Sequence, residues 1–316
     1  MAVVIPSWNS AGLLPRCLDS LAGQGAELEL MVVDNGSQDS SLELLRERGV
    51  PHVSLPENIG FAAAVNLGVA RTEAPLVLAL NADTVLEPGC AGRLAEALTA
   101  DPGLGGVQPR ILQLKAGDTG DVERARLYSR GMALSADGRA FEEGAGEAQD
   151  ARSAAAREIF GVCGAACLLR REMFERLGGY DERYFAFYED VDLNVRARIA
   201  GWRFAYVPEA VVWHVGNASW LEGFRRPEAE NARLVARNRL ATQLKFMPPA
   251  TVPRLVAVEA GSLLRATRQR RLLVTLRGKL AALGWLPALL RERRRFAAEG
   301  DLGRVRRWLG VRGAGA

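Results

Sequence analysis

The feature that most constrains this chain is the alternation of short apolar runs with helical patterns through its first hundred residues. Ala2–Ile5 is apolar throughout and ends at Pro6. Leu28–Val33 reads as a buried strand that runs into Asp34-Asn35-Gly36-Ser37, and Val53–Leu55 reads as a third strand. Leu76–Leu80 is continuously apolar, as a strand must be when both faces of its sheet are covered. Between these runs lie helical patterns at Leu13–Leu21, from Ser40 onward, at Phe61–Ala70 and at Gly89–Ala100. Ser40 with Glu43 three residues later has the form of a capping box. Such alternation predicts an α/β, Rossmann-like, mostly parallel sheet with flanking helices. Ligands of these sheets bind outside the carboxyl ends of the strands. The polar clusters Ser7-Trp8-Asn9, Asp34-Asn35 and Asn81-Ala82-Asp83 fall at those ends.

The remainder reads differently. Residues 113–158 are polar and Gly-rich, and Asp137-Gly138 between Met132–Leu134 and Phe141 predicts a hairpin. Val211–His214 reads as a late strand, and from Glu228 the pattern is helical and basic. Charge divides the chain at the same place. Residues 1–224 carry 20 Lys+Arg and 31 Asp+Glu, whereas residues 225–316 carry 21 and 6, which together give the net +4. A domain at 1–225, with a 1–112 half and a 113–225 half, is therefore expected to precede a basic amphipathic helical extension at 226–316. The four cysteines, Cys17, Cys90, Cys163 and Cys167, form no C-x-x-C pair and are expected as free thiols. The first strand begins at residue 2 and leaves no room for a signal peptide, so a cytoplasmic location is expected. No uncharged apolar run reaches the roughly 18–20 residues that a spanning helix needs.

Several residues carry candidate chemistry. Asp83 can hold a divalent cation against a diphosphate, since Mg²⁺ and Mn²⁺ use one or two carboxylates plus phosphate oxygens; it can equally cap the turn before Pro88. Asp34 can hydrogen-bond a nucleoside or close an Asx turn. In Tyr184-Phe185-Ala186-Phe187-Tyr188-Glu189-Asp190-Val191-Asp192, four aromatics precede the acids. A helix starting near Asp190 buries Val191, Val195 and Ile199 and pairs Asp192 with Arg196. Glu189 or Asp190 is then left to face a cleft as a general base. His214, at a strand end, is a candidate metal ligand or a structural histidine. No dinucleotide fingerprint, Walker loop or nucleophile elbow is present.

The ordered set of segments resembles the family-2 glycosyltransferases, in particular a bacterial rhamnosyltransferase-like branch. It runs from Val3-Val4-Ile5-Pro6-Ser7-Trp8-Asn9 through Val32-Val33-Asp34-Asn35-Gly36-Ser37, Glu57-Asn58-Ile59-Gly60-Phe61, Asn66 and Leu80-Asn81-Ala82-Asp83. It continues with Gly164-Ala165-Ala166-Cys167, Gly178-Gly179-Tyr180-Asp181-Glu182, Phe187-Tyr188-Glu189-Asp190-Val191-Asp192, His214, Ser219 and Arg237-Asn238. The resemblance implies a GT-A fold and an inverting single displacement. The donor would be a nucleotide-diphosphate sugar, dTDP- or UDP-linked, with rhamnose the sugar often used in that branch. It implies donor contacts from Pro6, Trp8, Asn9, Asp34, Asn35, Asn58, Asn66, Asn81, Ala82 and Asp83. It also implies Mg²⁺ or Mn²⁺ at Asp83 with His214, Asp190 as base beside Glu189, and a saccharide or lipid-linked acceptor of cell-envelope synthesis. The metal motif here, Asn81-Ala82-Asp83, holds a single acid. A non-catalytic sugar-nucleotide-binding module of the same fold is the competing reading. The basic extension interleaves arginine with leucine and valine, which fits an anionic membrane surface better than nucleic acid.

Overall fold

The computed structural model describes residues 1–114, 122–135, 137–215, 228–247, 251–299 and 303–308. Ser219, the 225/226 boundary and the Gly/Ala-rich end of the chain lie outside the described residues. The strands are β1 (Ala2–Ser7), β2 (Glu29–Asp34), β3 (His52–Ser54), β4 (Leu76–Leu80), β5 (Thr84–Leu86), β6 (Leu104–Gln113), β7 (Leu127–Ser129), β8 (Met132–Leu134), β9 (Ala140–Glu142), β10 (Arg157–Ile159), β11 (Ala166–Arg170) and β12 (Arg203–His214). The helices are α1 (Leu14–Asp19), α2 (Ser41–Glu47), α3 (Phe61–Val69), α4 (Cys90–Ala100), α5 (Arg171–Arg176), α6 (Glu189–Ile199), α7 (Glu228–Phe246), α8 (Val252–Arg268), α9 (Leu272–Gly284), α10 (Leu286–Glu299) and α11 (Gly303–Arg306).

The main sheet runs β10-β12-β6-β11-β4-β1-β2-β3, with β5 on β12 and β7 on β6. The half built from β3, β2, β1 and β4 is parallel, as the alternating pattern predicts. β1 explains why. Its side chains alternate, so Val3 and Ile5 pack with Leu14, Leu45 and Leu94 on one face. Val4 packs with Val65, Val69 and Leu193 on the other. A strand covered on both sides has no polar position to spare, and each buried Val or Leu stabilises the sheet by about 1.5–3 kcal/mol. Pro6 is tolerated near its end because the ladder to β4 stops at Val4, so the missing N–H costs no bond on that side.

Beyond β4 the sheet is mixed. β11 is inserted antiparallel between β4 and β6, and β12, 12 residues long, pairs parallel with β6 in two stretches. The β6–β12 register shifts between Val207 and Val211, where Pro208 cannot donate to the ladder. The Asp137-Gly138 hairpin forms between β8 and β9, with Gly138 at φ 74°. The capping box does not form: Ser40 makes no side-chain cap, and Asp39 instead accepts from the Ser41 N–H at 3.0 Å. All four cysteines are free and buried, and burial pushes Cys17, Cys90 and Cys167 up to about 12.

Candidate active site

The carboxyl edge of the sheet gathers polar atoms that the protein itself leaves unsatisfied. Ser7 Oγ, Asp34 Oδ1, Asn81 Oδ1 and His214 Nδ1 are buried without a hydrogen-bond partner. They stand at or just past the ends of β1, β2, β4 and β12. Buried polar groups are nearly always paired, so four such atoms along one edge are open to a ligand or to water.

Asp83 and His214 meet because of β5. This strand pairs antiparallel with β12, so Thr84 lies opposite His214, and the Val215 N–H donates to the Asp83 carbonyl at 3.1 Å. The side chains follow: His214 Nε2 is 3.1 Å from Asp83 Oδ1 and 3.4 Å from Asn81 Nδ2. Neighbouring ligands of an octahedral ion with bonds near 2.1 Å lie about 3 Å apart, so this pair fits one face of a Mg²⁺ or Mn²⁺ sphere. Two protein ligands leave the other positions to diphosphate oxygens and water. Tyr128 packs edge-on against the imidazole at 4.4 Å and fixes its plane.

The remaining donor-side residues divide by what they hold. Asn9 locks the β1 loop to the β2 loop, with its N–H donating to Ser37 Oγ and its Oδ1 accepting from the Gln38 N–H. Asn35 accepts from the Ile59 N–H and donates to Asn58 Oδ1 and the Gly60 carbonyl, while Asn58 Oδ1 also accepts from the Gly60 N–H. These asparagines shape the pocket loops. Pro6, Trp8 and Ala82 flank them on the same edge, Ala82 buried and the other two half-buried. Asn66 stands apart: it is spent on Tyr180 N–H and carbonyl and on Glu182 Oε1, so its amide ties α3 to the Gly179–Tyr180 turn.

A cavity of about 360 Å³ opens beside this edge, lined by Asn81, Tyr128, Glu142, Phe187, Glu189 and Asp190 among others. Its floor is the start of α6. Gly164 and Val191 N–H groups donate to the Asp190 carboxylate at 2.9 and 2.7 Å, which fixes its plane. Burial raises the Asp190 pKa, and these two amides oppose the shift. Asp192 is removed from the cleft by Arg196 at 2.6 Å, as the helical spacing predicts, and by Lys245 at 2.6 Å. Of the four aromatics, Phe187 and Tyr188 line the cavity, whereas Tyr184 is buried and Phe185 packs on Gly60. A side chain at Gly60 (φ 95°) would place Cβ 2.7 Å from Phe185, so glycine is required there.

Glu142 and Lys245, which the sequence did not single out, and Asn238, named only within the Arg237-Asn238 segment of the resemblance, lie around the site. Glu142, at the end of β9, has its carboxylate within 4.8 Å of Asp190 and Cys163 and accepts from Ser129 Oγ at 2.5 Å. Burial and the Asp190 charge push it up to about 7. This trio has the spacing of a metal cluster, and burial raises the Cys163 thiol well above its ordinary value. Soft sulfur is a poor ligand for hard ions such as Mg²⁺, which take oxygen. Asn238 of α7 donates to the carbonyls of Tyr184, Ala186 and Phe187 at 2.9, 2.8 and 2.7 Å. It thereby holds a segment in which Phe185, Phe187 and Tyr188 all have positive φ. Lys245 of α7 pairs with Asp181, Asp192 and Glu292. α7, basic in sequence, is thus built into the floor of the site.

The family model for glycosyl transferase family 2 matches residues 2–178, more than half of the chain. An N-acetylglucosaminyl-diphospho-decaprenol L-rhamnosyltransferase of Mycobacterium tuberculosis is 28% identical over 232 residues, 68% of this chain and 75% of that protein. An N-acetylglucosaminyltransferase of Mesorhizobium japonicum is 31% identical over 224 residues, 66% of this chain, which spans half the length of that relative. Among solved structures, GalNAc-T7 with UDP, GalNAc and Mn²⁺ superimposes with a TM-score of 0.61 at 17% identity, covering 78% of this chain and 47% of that one. The mannosyltransferase PcManGT from Pyrobaculum calidifontis, in complex with GDP-Man and Mn²⁺, gives 0.52 at 20% identity, covering 96% and 84%. At these identities the structural likeness speaks for the fold, which is GT-A. The chain belongs to glycosyl transferase family 2.

Proposed function

We propose that this glycosyltransferase moves a sugar from a nucleoside-diphosphate donor to a hydroxyl of a saccharide or lipid-linked glycan of the cell envelope, with inversion at the sugar carbon. The observation that carries the reading is Asp190: a carboxylate held by two backbone N–H groups, on the wall of a cavity that also reaches Asn81. In this reading Asp34 contacts the nucleoside, and Asp83 with His214 holds Mg²⁺ or Mn²⁺ against the diphosphate. A bound divalent cation would offset the negative charge that develops on the leaving diphosphate. Asp190 takes the proton from the acceptor hydroxyl as the new bond forms, helped by burial that lifts its basicity toward neutral pH. Glu189, beside it on the cavity wall, orients the acceptor. The names of the mycobacterial relative and of an O-antigen chain rhamnosyltransferase of Salmonella typhimurium, 25% identical, favour dTDP-rhamnose and a polyprenyl-diphosphate-linked sugar as the first substrates to test. Residues 1–225 form the transferase unit in this reading, with donor (1–112) and acceptor (113–225) halves. The 226–316 extension lends α7 to the floor.

The test is a transfer assay with radiolabelled dTDP-rhamnose and UDP-N-acetylglucosamine on a polyprenyl-diphosphate acceptor, comparing wild type with Asp190→Asn. Transfer by wild type, lost in the variant while nucleotide binding persists, is the expected result. Equal transfer by both proteins removes Asp190 as the base. Donor binding without transfer to any acceptor by wild type favours the non-catalytic module.

A further inference from the structure

The C-terminal helices carry their apolar residues on the wrong side for a surface in water. Among the described residues, eight large hydrophobics are exposed, and seven of them lie in α8 to α10: Val252, Val256, Leu264, Leu273, Leu280, Leu283 and Leu290. α8 shows the inversion most clearly. Its inward side sets Leu255 against the core and buries Ala266, but it also holds Glu259 and Ser262, both bonded to Arg239 of α7, at 2.8 and 2.9 Å; Glu259 also pairs with Lys279 of α9. Its outward side presents Val252, Val256, Ala260 and Leu264, spaced four apart along one stripe. Exposure reaches 64% at Val256 and 56% at Leu264. A surface helix of a soluble domain keeps its outer side polar, so this second, outward apolar stripe is out of place in water.

The charges on the same face identify what covers it. Arg254, Arg265 and Arg268 are exposed along one edge of the α8 stripe, and Arg277 is exposed between Leu273 and Leu280 on α9. Between residues 251 and 291 the only acid is Glu259, which faces inward. A second copy of this chain would bring arginine against arginine. An anionic bilayer offers both an apolar layer for the valines and leucines and phosphate for the guanidinium groups. Crossing the bilayer does not fit: no single described helix is long and apolar enough, and α9 and α10 together are bent by 58°. α9 is also held to the soluble body, since a Cβ at Gly278 would collide with the Arg233 carbonyl of α7.

We infer that the outer faces of α8 and α9 form an in-plane docking surface for an anionic membrane, seating the transferase at the bilayer through apolar insertion flanked by arginines. This does not depend on which sugar is transferred. α8 is joined through Arg239 to α7, whose Val235 lines the catalytic cavity, so docking would hold the site within two helices of the lipid surface.

Flotation of the full chain with vesicles tests it. Phosphatidylglycerol/phosphatidylcholine vesicles are expected to carry the protein at low salt, pure phosphatidylcholine vesicles much less, with attraction of about fivefold per arginine near the surface. The double variant Val256→Glu/Leu264→Glu should lose at least tenfold in binding. Leu273→Glu/Leu280→Glu on the second helix should do the same. Both pairs are solvent-exposed, and unchanged circular dichroism and nucleotide binding would show the fold intact. Wild type that ignores anionic vesicles, or folded variants that float like wild type, overturns the inference. So does a wild-type dimer at micromolar concentration that these variants convert to monomer, because a second copy would then cover the face.

Discussion

The edge proposed to bind the donor and the floor beneath Asp190, the proposed base, are built on opposite principles. Along the donor edge, Ser7, Asp34, Asn81 and His214 each leave a buried polar atom unpaired. Beneath the base, charges and carbonyls are met several times over: Asp192 by Arg196 and Lys245, Asp181 by Arg183 and Lys245, and three carbonyls by Asn238. Unpaired groups suit a ligand that arrives and leaves, because binding supplies bonds that folding withheld. A neutralised floor suits a carboxylate that must stay in one orientation through each turnover. The difference separates binding from chemistry along the molecule, and each side can be broken alone.

The largest effect is expected at the floor. Asp190→Asn should lower kcat by about 10²–10⁴, the range that general bases contribute, with little change in nucleotide affinity measured by titration. Lys245→Met leaves buried Asp192 to Arg196 alone and Asp181 to Arg183 alone, so the loss should stay below the roughly 3–5 kcal/mol of a buried charge left with no partner. Chemical denaturation should show that loss.

Asn238→Ala takes that donor from the Ala186 and Phe187 carbonyls beside the positive-φ segment, while the Tyr184 carbonyl keeps the Arg237 guanidinium. It should cost about 1–3 kcal/mol and lower kcat more than it raises KM for the donor. On the donor edge, Asp83→Ala should weaken nucleotide binding in the presence of Mn²⁺ and leave metal-free binding nearly unchanged. An equal loss with and without Mn²⁺ would erase the distinction between edge and floor.

The smallest effect is one of pH. Glu142 is raised to about 7, so the folded state holds its proton more tightly than the unfolded chain does. Its contribution to stability is complete below the ordinary glutamate value and is lost as pH rises through 7. Glu142→Gln should therefore gain stability relative to wild type between pH 5 and 8, on the order of 2 kcal/mol once solvent access is allowed for. The reverse slope in paired melts would place the Glu142 charge outside the cluster.

The parallel half of the fold was readable because burial on both faces writes continuous apolar runs, as at Val3–Ile5 and Leu76–Leu80. The places of Asp34, Asp83 and Asp190 in the fold were readable for a related reason: each ends or follows a strand or opens a helix whose period is clear. The meeting of Asp83 with His214 was not readable. It depends on β5, three residues long, finding β12 far along the chain. Glu142 was hidden in a Gly-rich hairpin, where only the turn dipeptide has a pattern. Asn238 stood in the sequence only within the Arg237-Asn238 segment of the resemblance, with no role, because its three acceptors exist only once Phe185, Phe187 and Tyr188 adopt positive φ. The capping box at Ser40 did not form: the Ser40 hydroxyl makes no cap bond, and Asp39, one residue earlier, accepts from the Ser41 N–H.

The most direct test of the account is calorimetric titration of dTDP, UDP and GDP into folded wild-type protein with and without Mn²⁺. The account predicts that one nucleotide binds and that Mn²⁺ tightens it, since the unpaired edge and the Asp83–His214 pair are built to receive a metal-bound diphosphate. No binding of any nucleotide to a folded sample would contradict it.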